Sequence, residues 1–477
     1  MHRAKKIGGW VICLVVVLPS IMAAGENISP VDVFEQTWQI FNTNYPYFAH
    51  HGVNWDAIHR VYRPQVTEQT TDEELFGILS RMLGHLNDGH VNLSNGQARF
   101  NAGVTQGLKM EDFSETLIRT KYLKNRFEAR QDSNLVYAWL PDSIGYLRIR
   151  GWKQKERVGA IMDSILAELK TAKGMIIDVR ANGGGNAFAA QAIAGRFADR
   201  KRLYAKNYPK RGPGHDSLFP PTYLYVEPAG PVQYTGPVVV LQHKFSESAT
   251  EEFILAMRVL PHVTLIGETT GGCFGNYYPD KLANGWTIGM AWSYEVDQND
   301  QCWVGIGIQP ELQTVNSNDD IISERDRVLE FGIELIAKGG QSGDKSSGDQ
   351  HEVRRSLFRQ FVRTAEERGI ETAVEEFQRL QTDEPDSVYF SIQECMNGAR
   401  SLMETGKLDV LTAVMELANK TWPDAIALPW TLGKAYEQQG HPEKAAAAYR
   451  LISEREAYFP WDKSSIEEAR QFLAARQ

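Results

Sequence analysis

The stretch GMIIDVRANGGGN, residues 174–186, decides the fold. It begins with an apolar run that has the length and composition of a buried strand. The three glycines that follow, Gly183 to Gly185, let the backbone turn sharply and direct amide N–H groups outward. Residues 187–198 then have the pattern of a helix. A strand, a glycine-rich turn and a helix in this order predict an α/β domain with a mostly parallel sheet.

Segments on both sides of this stretch repeat the alternation of strand and helix. Further strands are predicted at 144–149, 237–241 and 263–266, and further helices at 155–171 and 249–260. We therefore expect a sheet core with helices on both faces. Ahead of the sheet, apolar residues recur at helical spacing. This pattern predicts a helical N-terminal subdomain over 27–95, followed by the core over 96–338.

The C-terminal part of the chain has a different pattern. A Gly-, Ser- and Asp-rich segment, 339–350, predicts a linker, and residues 351–477 beyond it are helical and poor in strand signals. Residues recur there with a period of 34, as at Gly406 and Gly440. This period resembles that of tetratricopeptide repeats, which predicts stacked helix pairs that can bind a protein partner. An ordinary helical bundle is the alternative. Because such a linker does not pack, we expect the core to fold without this tail.

The N-terminus has the pattern of a secretory signal peptide. A basic start is followed by an apolar run from Ile7 to Ile21 and by the small residues Ala23 and Ala24. We expect residues 1–24 to be removed and the mature protein to be exported, to the periplasm or as a secreted protein. An uncleaved anchor is the alternative, although the run is short for a bilayer. No other segment is long and apolar enough for a membrane span.

The composition limits the classes of partner. Hydrophobic residues make up 42% of the 477 residues and charged residues 23%, as in globular proteins. The formal charge of −9 becomes −12 when the cleaved segment takes away Arg3, Lys5 and Lys6. A negative chain is a poor match for nucleic acid or an anionic membrane surface, so neither is expected as a partner.

Two functions suit the glycine-rich turn: a phosphate cradle and an oxyanion hole. Nucleotide-binding loops need Gly-x-Gly-x-x-Gly, or Gly-Lys-Ser/Thr at the start of the helix. Neither pattern occurs at 182–186. The turn therefore favours an oxyanion hole, and a tight turn without a ligand is the alternative.

Ser248 and His90 are the candidate nucleophile and general base. Ser248 follows the third predicted strand and opens a helix, where free N–H groups favour negative charge. It also suits an ordinary N-cap, since Glu251 completes a capping box. His90 lies in a loop after a helix, in LNDGH at 86–90, and a neutral imidazole there can accept a hydroxyl proton. A metal pair with His85 is a rival, but the spacing does not suit one helix face and no third ligand is apparent.

The order of these motifs resembles that of the S41 serine peptidases, the tail-specific and C-terminal processing proteases, and especially their tricorn-core branch. The resemblance covers about residues 31–335. Its landmarks are LNDGH at 86–90, GYLRI at 145–149, DVRANGGG at 178–185, SATE at 248–251, GETTGG at 267–272 and GIGIQP at 305–310. Many members carry a PDZ domain, but only about 50 residues separate His90 from the next predicted strand, too few for one.

The resemblance implies roles for individual residues. Ser248 matches the nucleophile of the family, and His90 matches the histidine of the tricorn-type tetrad. Gly184 and the amide of Ala249 fall where the oxyanion donors lie. Cys273 occupies the place of the lysine base in the processing-protease branch, so a Ser–Lys dyad is excluded.

Two further expectations depend on the same resemblance. Val304 occupies the place of the glutamate that orients the histidine in the tricorn-like branch, so Glu295 and Asp297, slightly upstream, are kept as candidates for that role. Cys273 and Cys302 lie on elements that border the active site in the family. Because neighbouring thiols in an exported protein are readily oxidised, a disulfide between these cysteines is expected.

Together these inferences predict an exported serine peptidase that hydrolyses peptide bonds of a peptide or protein substrate by acyl transfer. Neither a metal ion nor an organic cofactor is implied. One alternative is a catalytically impaired peptide-binding scaffold of the same fold, and another is an exported esterase that uses the same site. Labelling with a fluorophosphonate separates an activated Ser248 from an inert one.

Overall fold

The computed structural model describes residues 28–130, 134–153, 155–339 and 353–476. The predicted signal peptide and all of the predicted linker except Gly339 lie outside these residues. The helices are α1 (Pro30–Asn44), α2 (Trp55–Tyr62), α3 (Asp72–Gly84), α4 (Glu115–Leu117), α5 (Lys155–Leu169), α6 (Ala187–Ala194), α7 (Ala249–Arg258), α8 (Asn318–Ile322), α9 (Arg327–Ala337), α10 (Leu357–Arg368), α11 (Ile370–Asp383), α12 (Ile392–Glu404), α13 (Leu408–Thr421), α14 (Ala427–Gln438), α15 (Pro442–Arg450) and α16 (Pro460–Ala474). Within the described ranges, no helix combines the length and the apolar character that crossing a bilayer requires.

The strands are β1 (Asn92–Ser94), β2 (Arg99–Asn101), β3 (Glu128–Arg130), β4 (Leu135–Leu140), β5 (Ile144–Ile149), β6 (Gly174–Asp178), β7 (Arg202–Pro209), β8 (Thr222–Val226), β9 (Val238–Gln242), β10 (Val263–Gly267), β11 (Tyr277–Lys281), β12 (Thr287–Ala291), β13 (Ser293–Asp297), β14 (Leu312–Gln313), β15 (Arg355–Ser356) and β16 (Val388–Tyr389). The four strands predicted for the core correspond to β5, β6, β9 and β10, with ends that differ by at most one residue.

The central sheet has seven strands in the order β14-β10-β9-β6-β5-β4-β3. Its strands from β5 to β14 pair in parallel, and β4 and β3 add an antiparallel edge. Helix α9 packs on one face, and α5, α6 and α7 cover the other. The prediction of an α/β core with a mostly parallel sheet and helices on both faces is therefore confirmed.

The apolar run of β6 follows from its position at the centre of this sheet. Met175 and Ile177 point into the apolar cluster shared with α5 to α7, whereas Ile176 points into the cluster shared with α9. Because both faces of the strand are buried, successive residues are apolar instead of alternating with polar ones. The parallel strands also bring their carboxyl ends to one edge of the sheet, where the glycine-rich turn and the segment before α7 follow β6 and β9.

Among the described residues, three smaller sheets were not predicted from the sequence. Their strand orders are β11-β12-β1-β2, β13-β7-β8 and β15-β16. Strand β1 lies inside the segment that we assigned to the helical N-terminal subdomain. It forms a strand there because its residues pair with those of β12, which is distant in the sequence. Helices α1 and α3 also contribute to the same apolar cluster as α6 and α7, so the N-terminal helices share the core of the sheet domain.

The tail, from α10 to α16, consists mainly of helices in which sequence neighbours pack together. Gly406 and Gly440 lie between α12 and α13 and between α14 and α15, and their φ angles are +71° and +74°. Left-handed backbone of this kind favours glycine, which explains one spacing of 34 in the sequence. Gly433 on α14 leaves room for Tyr449, since an added Cβ would lie 2.3 Å from that ring. The identity of these helices as tetratricopeptide repeats stays a prediction.

The tail packs against the sheet domain through aromatic side chains. Phe219 is 6% exposed and belongs to the apolar cluster of the tail, where its ring meets Trp422 edge to face. Tyr223 contacts Tyr389 with ring centroids 5.0 Å apart. The tail therefore covers part of the core, and folding of the core without the tail stays a prediction.

We predict that a chain truncated before residue 351 self-associates and unfolds at lower temperature than the full protein, because the truncation exposes Phe219 and Tyr223. Size-exclusion chromatography and thermal unfolding measure the two effects. The control is Lys338→Ala in the full chain, which breaks an exposed ion pair with Glu334 inside the sheet domain. That change should alter the free energy of unfolding by about 0–1 kcal/mol. A monomeric fragment with the unfolding temperature of the full protein would refute this prediction.

Candidate active site

Ser248 lies at a strained turn between β9 and α7. Its φ and ψ angles are 58° and −127°. A residue with a side chain rarely adopts a positive φ, and such strain persists only where the surroundings hold it. An N-cap residue normally has extended backbone, so this conformation differs from that of an ordinary helix cap.

The buried carboxylate of Glu251 holds this turn in place. One oxygen accepts hydrogen bonds from the Thr270 hydroxyl and from the Gly272 amide, the latter at 2.8 Å. The other oxygen accepts the backbone N–H groups of Cys273 at 2.7 Å and Ser248 at 3.1 Å. Burial raises the pKa of Glu251 to about 8, although these hydrogen bonds oppose the rise. Glu251 therefore joins the turn of Ser248 to the loop 270–273, a role that the capping-box pattern only partly indicated.

The structure brings His90 and Ser248 together. Nε2 of His90 lies 3.3 Å from Oγ of Ser248, and Nδ1 lies 2.9 Å from the carbonyl oxygen of Phe274. Because a carbonyl only accepts hydrogen bonds, we assign the ring proton to Nδ1, which leaves Nε2 free to accept the serine proton. Burial lowers the pKa of His90 to about 4, so the imidazole is neutral at physiological pH.

A second buried acid, Asp88, holds the loop that carries His90. Its carboxylate accepts the backbone N–H of His90 at 2.8 Å and the hydroxyl of Tyr45 at 3.0 Å. Burial raises the pKa of Asp88 to about 7. Asp88 belongs to the LNDGH motif, but we assigned it no role from the sequence. Its position two residues before His90, typical of an Asx turn, is the signal that was available.

The predicted oxyanion donors lie beside Ser248, but they differ in availability. A Cβ on Gly184 would lie 2.7 Å from Cβ of Ser248, so the glycine allows close approach. The amide of Gly184 already donates to the side chain of Asn182 at 3.1 Å. In the part of the chain that the structure describes, the amides of Gly185 and Ala249 have no hydrogen-bond acceptor. The amides without an acceptor at this place are therefore those of Ala249 and Gly185, whereas the resemblance implied Ala249 and Gly184 as oxyanion donors.

The prediction that Glu295 or Asp297 orients His90 is wrong. Both lie on β13, which pairs with β7, and Glu295 accepts a hydrogen bond from Asn207 on that strand at 2.9 Å. Asp297 accepts backbone and side-chain hydrogen bonds from the turn that follows, including one from the Trp303 indole at 3.1 Å. The pairing of β13 thus directs both carboxylates to partners other than His90.

The predicted disulfide between Cys273 and Cys302 is absent, because both cysteines are free and buried. Sγ of Cys273 lies against Gly89, where an added Cβ would approach it to 2.9 Å. The thiol of Cys302 instead lies beside Tyr294, and burial raises the pKa of Cys302 to about 12. The two thiols have different neighbours and form no bond, although the resemblance placed both of them on elements that border the active site.

In the described ranges, two clusters bring His, Cys or acidic groups within 4.8 Å of one another: Asp88, His90 and Cys273, and Asp112, His243 and Glu268. In the first cluster the histidine and the aspartate are engaged in the hydrogen bonds described above. In the second, the ammonium of Lys244 pairs with Asp112 at 2.5 Å. His85, the rival metal ligand, instead contacts the Tyr62 hydroxyl at 3.0 Å. Neither cluster therefore offers a free set of metal-binding groups.

Comparison with known proteins agrees with this architecture. Residues 143–314 match the model of peptidase family S41, and residues 31–84 match that of the tricorn protease C1 domain. A solved structure from Parabacteroides merdae, described as a candidate peptidase, is 32% identical with a TM-score of 0.59, over 65% of this chain and 97% of that chain. The structure of mature CPAF has a similar fold at 12% identity and a TM-score of 0.50, over 66% of this chain and 98% of that one.

The α/β sheet and its matches define a hydrolase of the serine peptidase class. More specifically, the chain belongs to peptidase family S41, since it covers almost the whole of a relative that shares 32% of its residues.

We predict that Glu251→Gln lowers the free energy of unfolding by about 1–3 kcal/mol, because the new NH2 group faces two N–H or O–H donors and leaves them unsatisfied. The same change should slow fluorophosphonate labelling of Ser248, because the turn that carries it is then joined less firmly to the loop 270–273. Urea unfolding and labelling kinetics measure these effects. Thr270→Val, which removes one donor and keeps the carboxylate, is the control and should have the smaller effect on labelling. Wild-type stability and labelling in Glu251→Gln would contradict the role of this carboxylate.

Proposed function

We propose that this peptidase is exported and cleaves peptide bonds by acyl transfer, with Ser248 as the nucleophile and His90 as the general base. The observation that carries the proposal is the 3.3 Å distance between Oγ of Ser248 and Nε2 of His90, with Nδ1 fixed on the Phe274 carbonyl. Hydrogen-bond reach between a nucleophile and an oriented base is the geometry that this chemistry requires.

In the first half of the reaction, His90 takes the hydroxyl proton as Ser248 attacks the carbonyl carbon of the substrate. The amides of Ala249 and Gly185 are the proposed donors to the resulting oxyanion. His90 then gives the proton to the leaving amine, and the acyl group stays on Ser248. In the second half, water loses a proton to His90 and attacks the acyl-enzyme, which releases the acid product and restores the serine hydroxyl.

The protonation state of His90 supports this assignment. Because its pKa is lowered to about 4, the imidazole is an unprotonated base over the whole neutral range. One observation favours the impaired peptide-binding scaffold as a second candidate. Nδ1 of His90 faces a neutral carbonyl, which stabilises the imidazolium less than a carboxylate in the same place.

We predict that Ser248→Ala and His90→Ala each abolish hydrolysis of casein, because nucleophile and base act as one unit, and that the double variant is no worse than either single variant. Wild-type protein should react with a fluorophosphonate, whereas Ser248→Ala should not. The control is Ser164→Ala, which removes an exposed hydroxyl on α5. If Ser248→Ala retains wild-type turnover, the assignment fails. If folded wild-type protein shows neither turnover nor labelling, the scaffold is favoured instead.

Export is proposed from the sequence of residues 1–24, and a protein partner for the tail from its helical pattern. Expression of the full gene product should yield a mature protein that starts near residue 25 in the periplasmic or culture fraction, as N-terminal sequencing can show. Replacing Lys5 and Lys6 with glutamate should retain the uncleaved chain in the cell, since the basic start is required for targeting. An intact N-terminus on the wild-type protein would contradict cleavage.

A further inference from the structure

Asp88 is a buried acid whose retention needs an explanation. It is 0% exposed, and within the described ranges it forms no ion pair with lysine or arginine. Its hydrogen bonds come from one backbone amide and one tyrosine hydroxyl. A carboxylate taken out of water without a cationic partner destabilises a fold. Such groups cluster at functional sites, where their charge serves a reaction.

The basic group beside Asp88 is the imidazole of His90. A carboxylate oxygen of Asp88 lies within 4.8 Å of a ring nitrogen, and the hydrogen bond to the backbone of His90 fixes the two residues relative to each other. The partner of Nδ1, the Phe274 carbonyl, orients the ring but carries no charge. During the proposed reaction His90 becomes positively charged twice, and Asp88 is the acid placed beside it.

We infer that Asp88 is a positioning residue whose negative charge stabilises the imidazolium form of His90 during proton transfer. This inference rests on the proposed roles of Ser248 and His90. In this assignment, Asp88 provides the electrostatic support for His90 that Glu295 and Asp297 do not provide. Tyr45, through its hydroxyl, holds the carboxylate toward the site without contributing charge.

Few other groups around this pair titrate near neutral pH. Burial raises the pKa values of Tyr45, Tyr47 and Cys273 well above their ordinary ranges, and that of Cys302 to about 12. On the Ser248 side, Glu251 has a pKa raised to about 8, and burial also raises that of Glu247. The pKa of Asp88 itself is raised to about 7. Below that pH the carboxyl is protonated, so its support for His90 should disappear as the pH falls.

The test is Asp88→Asn, which keeps an acceptor for the His90 amide but removes the charge. We expect kcat/KM for casein peptides at pH 8 to fall about 10- to 100-fold, the size of loss known for outer-shell partners of metal-binding histidines. The wild-type profile should decline as the pH falls through about 7. The variant should lack that decline and stay level from about pH 5 to 7.

Tyr45→Phe is the matched variant. It keeps the carboxylate but removes a hydrogen bond that lowers the pKa of Asp88. We therefore expect a near wild-type maximum with the acid limb moved to higher pH. If thermal unfolding shows that Asp88→Asn does not fold, the inference is tested with Tyr45→Phe instead.

Several outcomes would overturn the inference. One is a wild-type rate in Asp88→Asn, and another is an equal loss at every pH with the acid limb unchanged, which a merely structural role produces. An unmoved limb in Tyr45→Phe also contradicts it. These results leave the proposed function standing if wild-type protein hydrolyses casein and labels at Ser248. Absence of both in the wild type removes the proposed function, and this inference with it.

Discussion

The carboxylate of Glu251 is completely buried, and its hydrogen-bond donors come from two separate segments of the chain. An acid in this position is tolerated only when all of its lone pairs are satisfied, because each missing donor leaves part of the desolvation cost uncompensated. The turn of Ser248 and the loop 270–273 must therefore adopt their positions together. The loop continues directly into Phe274, whose carbonyl orients His90, so one buried group sets the places of both nucleophile and base.

A second buried network fixes the turn that faces Ser248. Arg180 forms paired hydrogen bonds with Asp178 at the end of β6 and with Asp326 at the start of α9. Arg148 lies 3.7 Å from Asp178. The network therefore contains two carboxylates and two guanidinium groups, whose charges balance. Breaking such a network would leave an unpaired charge in the core. The glycine-rich turn begins two residues after Arg180, so this ion network anchors the backbone from which the oxyanion donors project.

The sequence predicted the strands and site residues whose roles depend on the type of side chain. It was less informative about features that depend on backbone atoms and strand pairing. Long apolar runs predicted the parallel strands, but β1, β2 and β11 are short strands in which Leu93 alone is buried, so they carry little signal. Motif order placed Ser248 and His90 together, although 158 residues separate them. The partner of Nδ1 could not be predicted in this way, because a carbonyl oxygen is supplied by every residue. The disulfide failed for a related reason: spacing along the chain does not give the direction of a side chain.

Packing of aromatic side chains also links the tail to the candidate site. Strand β11 lies at the edge of its sheet, and a short edge strand needs cover from other elements to hold its place. Neighbouring residues of a strand point to opposite faces. Tyr277 places its ring 5.5 Å from that of His90, whereas the ring of Tyr278 lies 4.6 Å from Trp461 at the start of α16. The tail thus packs against one face of β11, and the opposite face of this strand lines the site. A helical region that contributes no residue to the proposed chemistry is for this reason part of the framework that positions it.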